Sequence, residues 1–67
     1  MADDAHITPR QLECLRFAAQ GMTSLEIARA LKIKAKSVDA YITEACHRLG
    51  VRNRTQAVAK ATAAGWL

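Results

Sequence analysis

The sequence contains no apolar segment approaching the ~20 residues needed to span a bilayer. Its opening, MADDA, lacks a basic stretch followed by an apolar run, so it does not read as a secretory signal. Cysteine is scarce. Cys14 and Cys46 form neither a CxxC pair nor a metal-ligand spacing. Two such residues make no disulfide framework, and this usage points to a reducing, cytoplasmic setting. There are no internal repeats and no low-complexity segments. No nucleophile, base and orienting group stand in a recognisable set, and 67 residues leave little room for a substantial pocket. Both absences argue against an enzyme. The same length bounds the chain to one domain with a small core.

Charge is present and unevenly spread. Residues 1–30 carry Arg10, Arg16 and Arg29 against Asp3, Asp4, Glu13 and Glu26, a net of −1. Residues 31–67 carry Lys32, Lys34, Lys36, Arg48, Arg52, Arg54 and Lys60 against Asp39 and Glu44, a net of +5. Clustered positive charge attracts phosphate backbones. An anionic membrane offers the same attraction, but no basic helix with bulky apolar anchors is evident, so no membrane partner is expected.

The pattern of apolar residues predicts four helices and no strand, an all-α compact four-helix bundle. Residues 1–6 read as a disordered acidic leader, since chain ends fray and nothing there forms a core. Thr8 is the expected cap of the first helix, with Pro9 at its first position and Gln11 completing a capping box. Ile7 is positioned to staple onto Leu12. Leu15, Ala18 and Ala19 give the buried side with Cys14 beside them, and Gly21 ends the helix. TSLE, Thr23 to Glu26, is a second capping box. It opens a short helix whose Ile27, Ala28 and Leu31 turn inward. Lys32–Lys34 forms a turn with Ile33 as an apolar plug, which is a helix-turn-helix layout.

A third helix is expected from about Ala35 to Leu49, stopped by Gly50. Val51 tucks back onto the core. A fourth starts at Asn53, with Gln56 three residues on as in a capping box. Its apolar strip is Ala57, Val58, Ala61 and Ala64. Gly65 ends it, and Trp66 and Leu67 pack at the edge.

The third helix is two-sided. Val38, Ile42, Ala45 and Leu49 recur at helical spacing, with Cys46 flanking them. Lys36, Ala40, Thr43 and His47 lie opposite, small or polar. One buried stripe and one bare, partly basic stripe suit insertion into a DNA major groove, which admits a helix. His47 and Cys46 diverge by about 100° on a helix, so they do not share a metal. No cofactor or metal is expected.

The run ITPRQLECLRFAAQGMTSLEIARALKI, then SVDAYI, then HRLGVRNRTQAV resembles the LuxR/GerE-type helix-turn-helix domain, over residues 7–67. The resemblance implies a four-helix DNA-binding domain of bacterial transcription regulators. Its third helix enters the major groove, and its fourth forms a two-fold dimer contact. Carried over by position, Asp39, Ala40 and Thr43 are base-facing, with Lys36 and His47 on the same stripe. Thr23, Ser24, Ser37 and Tyr41 match positions near the phosphates. Arg48, Arg52 and Arg54 match the basic following turn, with Thr55 beside them and Lys34 placed to meet a phosphate. Val58, Ala61, Thr62, Gly65 and Trp66 are the expected dimer surface.

Three departures stand out. Lys34 occupies a cap position where the family uses Ser or Thr. Asp39 stands where Lys or Arg is common, and it either accepts from a cytosine amino group or caps its own helix. Glu44 adds an acid near the groove face, while Ala45 and Cys46 replace bulkier aliphatics. The leading expectation is a sequence-specific regulator, dimeric on an inverted repeat. The competing one is a stand-alone interaction module that pairs with a larger transcription regulator. Leu12, Phe17, Trp66 and Leu67 would mark its surface. A larger regulator or RNA polymerase is a further expected partner. The Met start and acidic leader favour a complete short chain.

Overall fold

A computed structural model describes residues 7–67. The expected leader, residues 1–6, lies outside them. The helices are α1 (Pro9–Ala19), α2 (Ser24–Leu31), α3 (Ala35–Leu49) and α4 (Arg54–Ala63), with no strand among the described residues. They pack into a body of 31 × 20 × 18 Å. α3 touches all three other helices, and α1 also packs on α4.

Local chemistry sets the helix starts. Thr8 Oγ1 accepts from the Gln11 N–H at 3.1 Å, and Gln11 Oε1 accepts from the Thr8 N–H at 3.2 Å. Thr23 and Glu26 repeat the exchange at 3.2 and 2.8 Å. Each box satisfies two amides that the first turn leaves without helical partners. At α4 the box is incomplete. Asn53 Oδ1 accepts from the Gln56 N–H at 2.9 Å, but Gln56 Oε1 accepts from the Arg52 N–H instead of the Asn53 N–H. A neighbouring free amide has captured the glutamine. α3 has no side-chain cap at all, as Lys34 lacks an acceptor.

The ends close as backbone turns. Gly50, at φ 70°, lets the Val51 N–H reach the Cys46 carbonyl at 3.0 Å and stops α3. The side chain of Val51 then packs against the core. Lys32 does the same for α2 without being glycine, at φ 60°, so that the Ile33 N–H donates to Ala28 O at 3.0 Å. A left-handed lysine carries a penalty of about 1 kcal/mol. Lys60 Nζ donates to the Leu49 carbonyl at 2.8 Å, fastening α4 to the open C-terminus of α3.

The core is Cys14 and Leu15 of α1, Ile27 and Ala28 of α2, Val38, Ile42, Ala45, Cys46 and Leu49 of α3, and Ala57 and Ala61 of α4. Ile7, Phe17, Leu31, Ile33 and Trp66 pack around it. Two expected members stay outside: Ala19 and Ala64 are exposed. Each ends its helix's stripe, where no further helix crosses to cover it. Gln11 is buried although polar, its carboxamide oxygen already used by the capping box. Ala61 is fully buried inside the protomer. It therefore offers no surface to a second chain, which corrects its place in the expected dimer contact. A methyl group at that position is what lets α4 lie close to the bundle.

Replacing Lys34 with Ser should give α3 the missing cap. The expected gain is about 1 kcal/mol, read as a rise of several degrees in the thermal melt. An unchanged melting temperature would show that the α3 amides are satisfied in some other way.

Candidate nucleic-acid interface

Burying Val38, Ile42, Ala45 and Leu49 turns the other side of α3 outward. Lys36, Asp39, Ala40, Thr43 and His47 are all exposed, as are Glu44 and Arg48. Ser37 and Tyr41 sit half-buried at the margin, and Tyr41 packs against the core. An open cleft of about 410 Å³ runs beside the bare stripe. Its lining gathers Asp39, Thr43 and His47 from α3 with Arg52, Asn53 and Arg54 from the following turn. Asp39, Thr43, His47, Arg52 and Arg54, all named from sequence, thus meet at one place, while Lys36, Ala40 and Arg48 do not line it.

A second open cleft, about 480 Å³, lies between the end of α1, the start of α2 and the start of α4. Thr23, Ser24, Arg54, Thr55 and Val58 line it. Thr55 belongs to this cleft and not to the first. Arg54 is the wall between the two.

Arg54 is half-buried and donates two of its five guanidinium N–H groups within the protein. Its Nη1 donates to Ser24 Oγ at 3.1 Å and its Nη2 to the Met22 carbonyl at 2.9 Å. Ser24 Oγ in turn donates to Asp39 Oδ1 at 2.5 Å. One hydroxyl therefore joins the first residues of α2 and α4 to the second turn of α3. Ser24 and Arg54, expected beside phosphates, thus also serve as interhelical ties. Asp39 does not cap its own helix, since its partner lies on α2.

The remaining cations sort into two groups. Arg10 pairs with Glu13 at 3.3 Å, Arg16 donates to the Trp66 carbonyl at 3.3 Å, and Arg48 pairs with Glu44 at 2.9 Å. That last pair lies across one turn of α3 and holds Arg48 and Glu44 together on the exposed face. Among the described residues, the side chains of Arg29, Lys32, Lys34, Lys36 and Arg52 make no hydrogen bond or ion pair. Arg52 uses only its backbone N–H. Lys32, Lys34 and Lys36 flank the start of α3, and Arg52 follows its end. Arg29 and Lys32 were not singled out from sequence. Their signal was present, as cations at the close of an otherwise inward-turned helix.

Cys46 lines the first cleft from its buried side. Burial pushes its thiol above the ordinary range. Burial does the same to Cys14, with Arg10 and Arg54 opposing and Glu13 reinforcing. Both stay as neutral thiols near pH 7 and behave as small apolar side chains. No group of three or more metal-ligating side chains occurs among the described residues.

The surface expected of an interaction module is not assembled. Phe17 and Trp66 pack on the core, Leu12 is half-buried, and Leu67 is 36% exposed. The most exposed large apolar side chain is Leu25 of α2, at 53%.

The profile described as bacterial regulatory proteins, luxR family, matches residues 5–61. The chain belongs to the luxR family of bacterial regulatory proteins. Among curated luxR-like relatives, the transcriptional activator protein VanR of Vibrio anguillarum is 36% identical over 63 residues, 94% of this chain and 26% of that protein. The quorum sensing-dependent transcriptional regulator RpaR of Rhodopseudomonas palustris is 46% identical over 59 residues, 88% of this chain and 24% of that protein. The transcriptional regulatory protein YvfU of Bacillus subtilis is 37% identical over all 67 residues, 34% of its own length. The chain thus spans a quarter to a third of the length of these luxR-family relatives. No solved structure matches. The family is one of transcription regulators and not of enzymes. No helix among the described residues is long and apolar enough to cross a membrane.

Arg54→Lys should separate the two parts of the guanidinium clamp, since one ammonium cannot reach both acceptors in the same planar fork. We expect a loss of about 1–2 kcal/mol, measured as a lower urea midpoint. Equal midpoints would mean that the clamp is dispensable to the fold.

Proposed function

We propose that this chain binds double-stranded DNA in a sequence-selective way and regulates transcription, with α3 in the major groove. The observation that carries the reading is the bare stripe of α3 bordered by four cations whose side chains have no partner among the described residues, Lys32, Lys34, Lys36 and Arg52. Unpaired cations at both ends of an exposed helix suit the two phosphate strands that flank a groove. Lys36, Ala40, Thr43 and His47 face the bases. Ala40 and the Thr43 methyl suit contact with a thymine methyl, and the Thr43 hydroxyl suits a base edge. Ser37 and Tyr41 lie where the helix margin meets the backbone. Thr23 keeps a hydroxyl proton to donate while its oxygen holds the α2 cap. Thr55 stands beside it across the second cleft. Arg48 remains exposed enough to exchange Glu44 for a phosphate.

The second element of the proposal is a homodimer through α4. Val58, Thr62, Gly65 and Trp66 form its surface, without Ala61. A two-fold dimer would set two α3 helices about 34 Å apart, one turn of duplex. Contacts with a larger regulator or RNA polymerase would then fall on faces away from α3.

Affinity for duplex DNA should fall steeply between roughly 50 and 200 mM salt. Lys34→Ala and Arg52→Ala should each lower the slope of log affinity against log salt by about one. Fluorescence anisotropy with labelled duplex reads both, and a flat response overturns the DNA reading.

An inverted repeat with half-site centres about 10 bp apart should bind more tightly than a single half-site. Val58→Arg should abolish that advantage while leaving half-site affinity in place. If the wild type shows no preference for the repeat, the dimer reading fails.

A further inference from the structure

Asp39 presents a problem that the DNA reading leaves open. It is an exposed carboxylate on the face that would meet a polyanion. Left mobile, it would repel phosphate and gain nothing. It is not left mobile. Its Oδ1 accepts from Ser24 Oγ, and Ser24 Oγ accepts from Arg54 Nη1. Arg54 is itself anchored on the Met22 carbonyl. The series runs from buried backbone through a guanidinium and a hydroxyl to one oxygen of the carboxylate. The other oxygen, Oδ2, has no hydrogen-bond partner among the described residues. Asp39 lines the first cleft beside Thr43, His47 and Arg52.

We infer that Asp39 is a pre-positioned reader of cytosine, held by Ser24 and Arg54 as positioning residues. This rests on the placement of α3 in the major groove. A carboxylate can only accept, and in that groove cytosine alone offers a donor, its N4 amino group, with no acceptor beside it. Guanine presents two acceptors that a carboxylate repels, and adenine and thymine each present one. Fixing Oδ1 removes the rotamer freedom that a free aspartate would lose on binding, and it leaves Oδ2 as the reading atom. Through the bridging hydroxyl, the Arg54 charge also offsets part of the repulsion between Asp39 and the phosphates. The Ser24–Asp39 bond crosses from α2 to α3, so a shift of α3 against α2 would misplace the reader. Recognition and the α2–α3 geometry are thereby coupled.

Selection of bound duplexes from a random pool tests this in the 67-residue chain and in two variants. Asp39→Asn keeps an oxygen for Ser24 and turns the reading atom into an amide nitrogen, which donates and cannot accept from the cytosine amino group. The wild type should require cytosine at one position of each half-site, by about tenfold or more over other bases. Asp39→Asn should convert that same position from cytosine to bases that present an acceptor there and leave the others alone. Ser24→Ala should keep cytosine there but weaken the preference several-fold, with the remaining positions unaltered.

A variant preference identical to the wild type, or a converted position that was not cytosine, overturns the reader. Uniform weakening at all positions in Ser24→Ala overturns the positioning role and leaves a plain structural tie. Circular dichroism melts confirm that each variant is folded at the selection temperature. Failure of the wild type to bind any duplex at low salt overturns the DNA reading and the cytosine reader with it. Binding without a cytosine requirement overturns the reader alone.

Discussion

The structure depends on one buried stripe. Val38, Ile42, Ala45 and Leu49 share a face of α3, and that face is where α1, α2 and α4 all converge. Fully burying an aliphatic side chain of this size is worth roughly 1.5–3 kcal/mol. The stripe is short, and much of what it meets is small: Ala28, Ala57 and Ala61. Small residues give little area each, but they let helix axes approach closely. The other side of α3 receives no such cover. A rigid, two-sided α3 is a direct outcome of packing three helices on one side of a fourth.

Polar ties then fix how the helices sit on that stripe. Ser24 links α2 to α3, Arg54 links α4 to α2, Lys60 links α4 to the end of α3, and Arg16 links α1 to the chain end at Trp66. Apolar packing alone is non-directional and tolerates sliding. Hydrogen bonds between charged and neutral groups are directional, and removing one partner leaves the other unsatisfied. Of the cations whose side chains have no partner among the described residues, Lys32, Lys34, Lys36 and Arg52 sit where α3 begins and just after it ends. Division of labour among the basic residues, more than their total, gives the α3 surface its character.

What could be read from sequence was mostly local. The two complete capping boxes, the Gly50 stop and the α3 stripe involve residues three or four apart, so helical geometry alone places them. The stripe placed Lys36, Ala40, Thr43 and His47 outside correctly for the same reason. Periodicity failed at helix ends, at Ala19 and Ala64, since coverage there depends on which helix crosses. At Ala61 periodicity was right to place the residue in the apolar strip, and it was the resemblance that made it a dimer contact. The Gln56 box failed through competition, as Arg52 offered a second amide within reach. Ser24, Asp39 and Arg54 are separated by 15 and 30 residues. No spacing rule reaches so far, so the interhelical ties made by this serine and arginine were not legible in the sequence.

The start of α3 departs from the easiest residues twice within three positions. Lys32 adopts a left-handed backbone where glycine would be unstrained, and Lys34 stands at a cap that a serine would fill. Both choices are unfavourable to the fold, and the second also sets a positive charge against the positive end of the helix dipole. Local rules broken without a structural return are where function is expected. Here the two substitutions have one thing in common, a lysine ammonium free of protein partners. Helix N-termini already attract anions through their unpaired amides. Uncapped α3 amides with Lys32, Lys34 and Lys36 around them would suit an anion, at the expense of helix stability. Under the DNA reading proposed above, a phosphate would supply the missing acceptor, which would tie the instability of α3 to that ligand.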